Sequence, residues 1–410
     1  MDRTLDAIEP RMTDERNKIL ACPFEEAEVV TALTQMHPTK SPGSDGMPAL
    51  FFQTFWPIIK NDVLSVVLSV LNGNVSPKGV NDTNIVLIPK CNNPSNLKDW
   101  RPISLSNVVY KILVKVLANK LQKVILHLIS STQSEFVPGR SIIDNVQIAF
   151  EILHSMKRKL KGKIGDVALK INISKAYDSM NWSFLQAIML KMGFDSTWVR
   201  WIMMCVTSVC YSIGVNGEEV GPIIPERVLR QGDPLSQYLF ILCAEGLSFL
   251  IKDAEDNDRI HGVRVCRRTP FISHLFFADD SLLFSRASID ECNYLKNILE
   301  AYKEASGQGV NFGKSGVMFS SNMPHHSREA LCQNLGVRQN LNSGKYLGLP
   351  SLIGRKKKEV FRHIKDIMWG YIQNWQGNKL SRGGKEILLN SVAQVVPSYF
   401  MSTLLLPISY

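Results

Sequence analysis

Residues 274–285 have the sequence HLFFADDSLLFS, in which two apolar runs, His274–Phe277 and Ser281–Ser285, flank a pair of adjacent aspartates. This pattern predicts a β-hairpin with Asp279 and Asp280 at its tip. Adjacent carboxylates repel each other, and burying them is costly unless a cation neutralises them. Mg²⁺ prefers hard carboxylate oxygens, so the tip is a candidate metal site. A solvent-exposed Asp-Asp turn accounts for the same residues equally well.

The sequence around this hairpin alternates between strand and helix patterns. Residues 167–173 place Val167, Leu169, Ile171 and Ile173 at every second position, which predicts a half-buried strand. Residues 108–129 carry apolar side chains at helical spacing and predict a long helix. Further helices are predicted over 24–36, 235–251 and 360–401, the last broken at Gly383-Gly384, and a strand over 84–89. The mixture favours an α/β or α+β fold.

Composition narrows the class of protein. Of the 410 residues, 45% are hydrophobic, which is enough for a sizeable core and predicts two or three domains. The longest apolar runs are too short to span a membrane, and no secretory signal opens the chain. The net charge of +10 favours a polyanionic partner. The eight cysteines have no CxxC spacing, so we expect reduced, buried thiols in an intracellular protein.

Three further motifs have possible chemistry, although each has an ordinary structural explanation that we favour when it is taken singly. Arg230–Ser236 (RQGDPLS) is a glycine-containing turn before a helix, suited to close backbone approach and anion binding. Lys170–Asp178 (KINISKAYD) is a strand that ends in a polar turn, where Asp178 or Ser179 is the expected N-cap of the next helix. Arg101 in an extended segment has a guanidinium that suits a triphosphate.

Taken in order along the chain, these segments resemble the reverse transcriptases of plant non-LTR (LINE-type) retrotransposons. The resemblance covers nearly the whole chain, and an ordered set of motifs is far more specific than any one of them. The matching stretches are Lys40–Gly46 (KSPGSDG), Trp100–Leu105 (WRPISL), Thr132–Asn145 (TQSEFVPGRSIIDN), Lys170–Asp178 (KINISKAYD), Arg230–Ser236 (RQGDPLS), Phe277–Asp280 (FADD), Ser306–Ser315 (SGQGVNFGKS), Tyr346–Pro350 (YLGLP) and Lys379–Ser381 (KLS).

The resemblance implies an α+β right-hand polymerase fold with fingers, palm and a partial thumb. We expect a helical N-terminal extension over 1–79, fingers and palm over 80–350, and the partial thumb over 351–410. It implies two-metal nucleotidyl transfer with two Mg²⁺ or Mn²⁺ ions. The partners would be an RNA template, a DNA primer and dNTPs, with no membrane, and the expected location is the nucleus.

The resemblance also implies roles for individual residues. Asp279 would be the main metal ligand, with Asp280 beside it. Tyr177 would lie under the incoming sugar and exclude a 2′-hydroxyl. Substrate contacts are implied for four more residues: Gln231 and Gly232 on the nucleotide and template side, Arg101 at the triphosphate, and Arg140 near the template.

One departure from the family pattern bears directly on activity. The family has an aspartate, its other chief metal ligand, at the position of Asn172. Asparagine keeps a carbonyl oxygen but lacks the negative charge, so metal affinity and catalysis should fall. Gln237 is a lesser departure, since proline is usual there. Two hypotheses therefore stand: a polymerase impaired by Asn172, and a catalytically inactive, nucleic-acid-binding remnant of the same fold.

Overall fold

A computed structural model describes residues 2–73, 75–174, 176–215, 218–266, 268–339, 345–350, 357–376 and 380–403. Lys175 and, within the predicted thumb, residues 351–356, 377–379 and 404–410 lie outside these ranges. The chain divides into two compact units. Unit 1 comprises Met1–Gly139, Ile173–Asn257 and Leu295–Val310, and unit 2 comprises Arg140–Asn172, Asp258–Tyr294 and Asn311–Tyr410. The structure is a mixture of helices and sheets, as expected for an α+β protein.

The elements alternate along the chain. The helices are α1 (Asp2–Asp6), α2 (Asp14–Ala21), α3 (Glu26–Thr34), α4 (Ala49–Thr54), α5 (Trp56–Leu71), α6 (Val108–Leu128), α7 (Ile142–Arg158), α8 (Trp182–Lys191), α9 (Ser196–Thr207), α10 (Ser236–Asp256), α11 (Ile289–Ser306), α12 (His325–Leu335), α13 (Lys357–Gln376), α14 (Arg382–Leu388) and α15 (Val395–Thr403). The strands are β1 (Asp82–Pro89), β2 (Trp100–Ser106), β3 (Asp166–Ser174), β4 (Cys210–Val215), β5 (Glu218–Ile223), β6 (His274–Phe277), β7 (Asp280–Arg286), β8 (Gly309–Val310), β9 (Gly316–Phe319), β10 (Lys345–Tyr346) and β11 (Leu349–Pro350).

Unit 1 is built around two long helices, α6 and α10. Both are apolar around most of their circumference, so both are largely buried, as such helices must be. A four-stranded sheet in the order β2-β1-β4-β5 belongs to the same unit. Its β1–β2 pair is antiparallel, with Arg101 opposite Ile88, and its β1–β4 pair is parallel. The end of β3, Ile173 and Ser174, pairs with β8.

Unit 2 is centred on β3, which pairs antiparallel with both β7 and β9, while β6 pairs with β7. The predicted alternation holds in part, because Val167, Leu169 and Ile171 are buried and Lys170 and Asn172 are half-buried, but Ala168 is buried as well. Helix α7 packs its apolar face on this sheet. The buried cluster includes Ile152, Leu153, Ala168, Leu282, Phe284 and Met318. This packing supports the β6–β7 hairpin from beneath.

Some local predictions were wrong. The N-cap of α8 is Asn181, whose side chain accepts a hydrogen bond from the Ser183 amide, because Asp178 and Ser179 lie within the turn that precedes the helix. The break predicted at Gly383-Gly384 lies just before these glycines, at the non-helical Leu380 and Ser381, and both glycines belong to the first turn of α14, where the Ser381 side chain caps the Gly384 amide. All eight cysteines are free thiols, but three are exposed: Cys22, Cys91 and Cys266.

Among the described residues, no helix combines the length and apolarity that crossing a membrane requires.

Candidate active site

The β6–β7 hairpin turns through two residues, Ala278 and Asp279, between the paired Phe277 and Asp280. Ala278 has φ 48°, in the left-handed region that favours glycine, so the tip of the hairpin is locally strained. Strain of this kind persists only where the surrounding packing imposes it, and it is concentrated at functional sites. The turn leaves Asp279 exposed and Asp280 half-buried.

Strand β3 brings Asn172 to this tip. Its register pairs Asn172 with Asp280 across the β3–β7 ladder, and the Asn172 Nδ2 donates to Asp279 Oδ2 at 3.2 Å. The SGQGVNFGKS stretch supports the end of this strand. The Ser315 Oγ accepts from the Asn172 amide at 3.4 Å, and the Asn311 amide donates to the Asn172 carbonyl at 2.8 Å. A strand-end side chain and the hairpin tip therefore converge, as the sequence motifs require.

The electrostatics of the hairpin depend on a residue for which no role was predicted. The Lys170 Nζ lies 3.5 Å from Asp280 Oδ1. Among the described residues of unit 2, the hairpin thus combines the carboxylates of Asp279 and Asp280 with the neutral carboxamide of Asn172, and the Lys170 ammonium lies beside them. Within the described residues, no group of three or more His, Cys, Asp and Glu side chains lies close enough to hold a metal ion.

A buried polar contact supports β6 directly below the turn. The Asn145 Nδ2 donates to the Phe276 carbonyl at 2.9 Å, and the Tyr346 hydroxyl donates to Asn145 Oδ1 at 2.8 Å. Asn145 and Tyr346 are both buried, and burial raises the pKa of the Tyr346 phenol, which therefore stays neutral. These residues belong to the TQSEFVPGRSIIDN and YLGLP stretches, so two of the sequence motifs act as scaffold for the hairpin.

The RQGDPLS turn lies in unit 1 and is anchored by Arg230. The buried Arg230 guanidinium donates to Asn81, to the Tyr110 hydroxyl and to the Cys205 carbonyl, and its Nε lies 3.5 Å from Asp233. Burial raises the pKa of Tyr110 well above its usual range, so the phenol is neutral. Such complete pairing is what a buried charge requires.

Beside this anchor, the backbone of the turn meets strand β2. The Ser104 amide donates to the Gln231 carbonyl at 3.3 Å. Gly232 has φ 100°, a conformation that only glycine adopts without strain, which explains why glycine is needed here.

A cavity of about 700 Å³ in unit 1 gathers several of the predicted residues. Tyr177, Gln231 and Gly232 line it, and the Tyr177 ring stacks on Phe240 with centroids 5.0 Å apart. The departure at Gln237 also faces this cavity. The structure therefore brings three of the implied substrate residues to one concave surface.

The walls of this cavity carry lysines for which no role was predicted. Lys40 of the KSPGSDG loop and Lys111 and Lys115 of α6 line the cavity. Burial lowers the pKa of Lys111 and of Lys115. The Lys111 Nζ donates to the Ser41 carbonyl at 3.0 Å, tying this loop to α6. Partly desolvated cations attract a bound anion more strongly than solvated ones. The sequence feature that indicates this positively charged wall is a pair of lysines one helical turn apart in an apolar helix.

Arg101 belongs to unit 1 and Arg140 to unit 2. Arg101 is exposed on β2, and it is not among the described residues that line the cavity. Arg140 is half-buried at the start of unit 2, immediately before Ser141, the N-cap of α7. Their assignments to the triphosphate and the template remain predictions.

Comparison with known proteins identifies the family. Residues 88–351 match the sequence model for the reverse transcriptase (RNA-dependent DNA polymerase) family. The chain belongs to this family. The hairpin, Asn172 and the RQGDPLS turn all fall within the matched residues of this reverse transcriptase domain.

Relatives of this reverse transcriptase domain are found among transposable elements. The Transposon TX1 uncharacterized 149 kDa protein of Xenopus laevis is 25% identical over 386 residues, which are 93% of this chain and 29% of that protein. The Retrovirus-related Pol polyprotein from type-2 retrotransposable element R2DM of Drosophila melanogaster is 28% identical over 51% of this chain and 19% of its own length. The uncharacterized mitochondrial protein AtMg01250 of Arabidopsis thaliana is 54% identical over 67 residues, 16% of this chain and 55% of its length. The chain thus spans under a third of the TX1 protein.

Proposed function

We propose that the chain is the RNA-directed DNA polymerase domain of a non-LTR retrotransposon, with activity reduced by Asn172. The observation that carries this proposal is the convergence of Asn172, Asp279 and Asp280 in a chain that belongs to the reverse transcriptase family. Relatives from retrotransposable elements support the element type. A plant source is supported by the 54% identity to the Arabidopsis protein.

The proposal includes a right-hand arrangement of the polymerase. Residues 1–79 would form a helical extension, 80–350 the fingers and palm, and 351–410 part of the thumb. The hairpin and β3 would belong to the palm. The nucleus is the location that we propose for a retroelement polymerase.

The donor set at the hairpin fits magnesium or manganese. Asp279 and Asp280 would hold the ions, and Asn172 would add a carboxamide oxygen, because these hard oxygens are the ligands such ions prefer. When bound, two such ions activate the primer 3′-hydroxyl and stabilise the leaving pyrophosphate. Asn172 lacks one unit of negative charge, so we expect the ions to bind less tightly than at a three-carboxylate site.

The remaining residues would bind and orient the substrates: a primer on an RNA template and an incoming dNTP. In the reaction the primer 3′-hydroxyl releases its proton and its oxygen forms a bond to the α-phosphorus. The bond from that phosphorus to the oxygen that bridges to the β-phosphorus breaks, and pyrophosphate leaves. Tyr177 would exclude a 2′-hydroxyl, and Gln231 and Gly232 would face nucleotide and template. Lys111 and Lys115 provide positive charge on the same cavity. Arg101 would bind the triphosphate, and Arg140 the template.

A second candidate function is favoured by one specific observation. Both hairpin carboxylates already have partners within the chain, the Asn172 amide at Asp279 and the Lys170 ammonium at Asp280. A hairpin satisfied in this way does not need metal ions in order to fold. The alternative is therefore an inactive remnant that binds nucleic acid through its basic surfaces.

Primer extension on an RNA template distinguishes the two candidates. The proteins compared are the wild type, Asn172→Asp and Asp279→Asn, each with Mg²⁺ and with Mn²⁺. We expect weak extension by the wild type and none by Asp279→Asn. Asn172→Asp should gain on the order of 10- to 100-fold, corresponding to about 1.4 to 2.8 kcal/mol of transition-state stabilisation.

Binding of a fluorescent RNA–DNA hybrid, followed by anisotropy, provides the matched control. All three proteins should bind the hybrid with similar affinity, because the changes lie at the metal-binding atoms. Strong wild-type extension that Asn172→Asp does not improve would contradict the reduced activity. No extension by Asn172→Asp, with hybrid binding intact, would leave the inactive remnant as the function.

A further inference from the structure

Lys170 occupies a defined position relative to the hairpin carboxylates. It lies two residues before Asn172, so both side chains project from the same face of β3. The β3–β7 register pairs Lys170 with Leu282 and Asn172 with Asp280, which makes Lys170 the diagonal neighbour of Asp280. Diagonal positions are about 7–8 Å apart, within the reach of a lysine. The observed 3.5 Å distance from Nζ to Oδ1 is therefore a consequence of strand register.

The surroundings of this ion pair confine it. The side chain of Lys170 is 18% exposed and that of Asp280 is 30% exposed, so both charges are partly removed from water. The Lys170 Nζ also lies 6.0 Å from the centroid of the Tyr346 ring, at the edge of the range for a cation–π contact. Tyr346 is itself fixed by its hydrogen bond to Asn145. An ion pair that is partly removed from water in this way is stronger than a fully solvated surface pair.

Two adjacent carboxylates at a strained turn need compensation when no metal ion is bound. At Asp279 the Asn172 amide provides a hydrogen bond but no charge. Lys170, on the same strand as Asn172, provides a full positive charge next to Asp280. A divalent cation that approaches Asp280 must therefore displace the ammonium or share the carboxylate with it. Both possibilities cost binding free energy.

We propose that Lys170 acts as a resident cation, which holds Asp280 and competes with divalent metal there. Together with Asn172 it leaves the hairpin with one weak divalent site, centred on Asp279, where the family mechanism uses two ions. Lys170 is in this sense a positioning residue that sets metal affinity and stoichiometry. This inference rests on the proposed function, because it assumes that the hairpin is the metal site.

Direct metal titration of the full chain tests the inference without measuring polymerisation. Bound Mn²⁺ is counted by electron paramagnetic resonance for the wild type, Lys170→Met, Asn172→Asp and the double variant. We expect one weakly bound ion in the wild type. Each single change should tighten binding about tenfold, and the double variant should bind two ions. Methionine keeps most of the length of lysine but removes the charge.

Lys163→Met is the matched control. Lys163 is an exposed lysine of unit 2 in the loop before β3, so its removal changes net charge equally without touching the hairpin. Thermal unfolding with and without Mg²⁺ gives a second readout. Mg²⁺ should raise the melting temperature of Lys170→Met more than that of the wild type or Lys163→Met. If Lys170→Met does not fold, Lys170→Gln replaces it, with the same expected results.

The outcomes separate this inference from the function on which it rests. If Asn172→Asp tightens Mn²⁺ binding while Lys170→Met behaves like Lys163→Met, the role of Lys170 is overturned and the hairpin remains the metal site. If neither change alters Mn²⁺ binding, the hairpin does not bind divalent metal, and both the inference and the metal-dependent polymerase fail. Two tightly bound ions in the wild type would also overturn the inference.

Discussion

The Arg230 cluster of unit 1 and the Asp279 hairpin of unit 2 both carry charged groups next to strands, but they differ in burial and pairing. Arg230 is buried and bonded to Asn81, Tyr110 and the Cys205 carbonyl. Asp279 is exposed and accepts an amide hydrogen bond from Asn172. The first arrangement stabilises a fold, and the second keeps negative charge accessible to a ligand. We therefore expect changes at Arg230 to affect stability and changes at Asp279 to affect the proposed chemistry.

The largest expected effect comes from removing the buried cation. Arg230→Met should lower the free energy of unfolding by about 3–5 kcal/mol, because it leaves Asp233 and several polar atoms buried without their partner. Urea denaturation measures this loss. Arg101→Met, an exposed change on β2 in the same unit, should cost less than about 0.5 kcal/mol. If both variants lost the same free energy of unfolding, the buried Arg230 cluster would contribute no more to stability than an exposed residue does.

The second effect tests whether the hairpin depends on its buried support. Asn145→Ala removes the hydrogen bonds to the Phe276 carbonyl and from the Tyr346 hydroxyl, so two buried polar groups lose a partner. We expect a loss of about 2–3 kcal/mol in unfolding free energy. Asn293→Ala, which removes an exposed hydrogen bond between two side chains, is the control and should stay within about 0.5 kcal/mol of the wild type. A small cost at Asn145 would mean that the hairpin holds its shape without this contact.

How well a structural feature can be predicted from the sequence depends on how far apart in the chain the interacting residues are. Periodicity located α6 and β3 to within a residue or two, because burial on one face imposes a local repeat. The pairing of Asn172 with the hairpin was expected only through the family resemblance. Arg230 and Asn81 are 149 positions apart, and no local sequence pattern predicts a hydrogen bond between residues so far apart. The Asn181 cap was missed for a different reason, since several residues near Asp178 are chemically able to cap a helix.

The stability of the protein should also depend on pH, because of a buried histidine in unit 2. Burial lowers the pKa of His274 on β6 from its usual 6.5 to about 3. The unfolded chain therefore takes up a proton as pH falls through 6.5, while the folded chain does not, so stability decreases toward acid. Between pH 7 and pH 5 the loss attributable to His274 should be about 2 kcal/mol.

Urea denaturation at both pH values measures this loss, and His274→Gln, which cannot titrate, should show a correspondingly smaller dependence. The window lies above the range in which most carboxylates titrate, and the comparison with His274→Gln separates His274 from the other seven histidines. An unchanged pH dependence in His274→Gln would assign the acid sensitivity to other groups.

The smallest expected effect is the most informative about the hairpin. Asp279→Asn should change the unfolding free energy by no more than about 0.5 kcal/mol, because the side chain is exposed and the change relieves repulsion from Asp280. Asp366→Asn, an exposed aspartate on α13, serves as the control for surface charge, and both are measured by urea denaturation. A cost above about 1 kcal/mol at Asp279 would make its carboxylate a structural group, like those around Arg230. A negligible cost, combined with loss of primer extension in the same protein, would mean that the fold tolerates this exposed negative charge and that the reaction requires it.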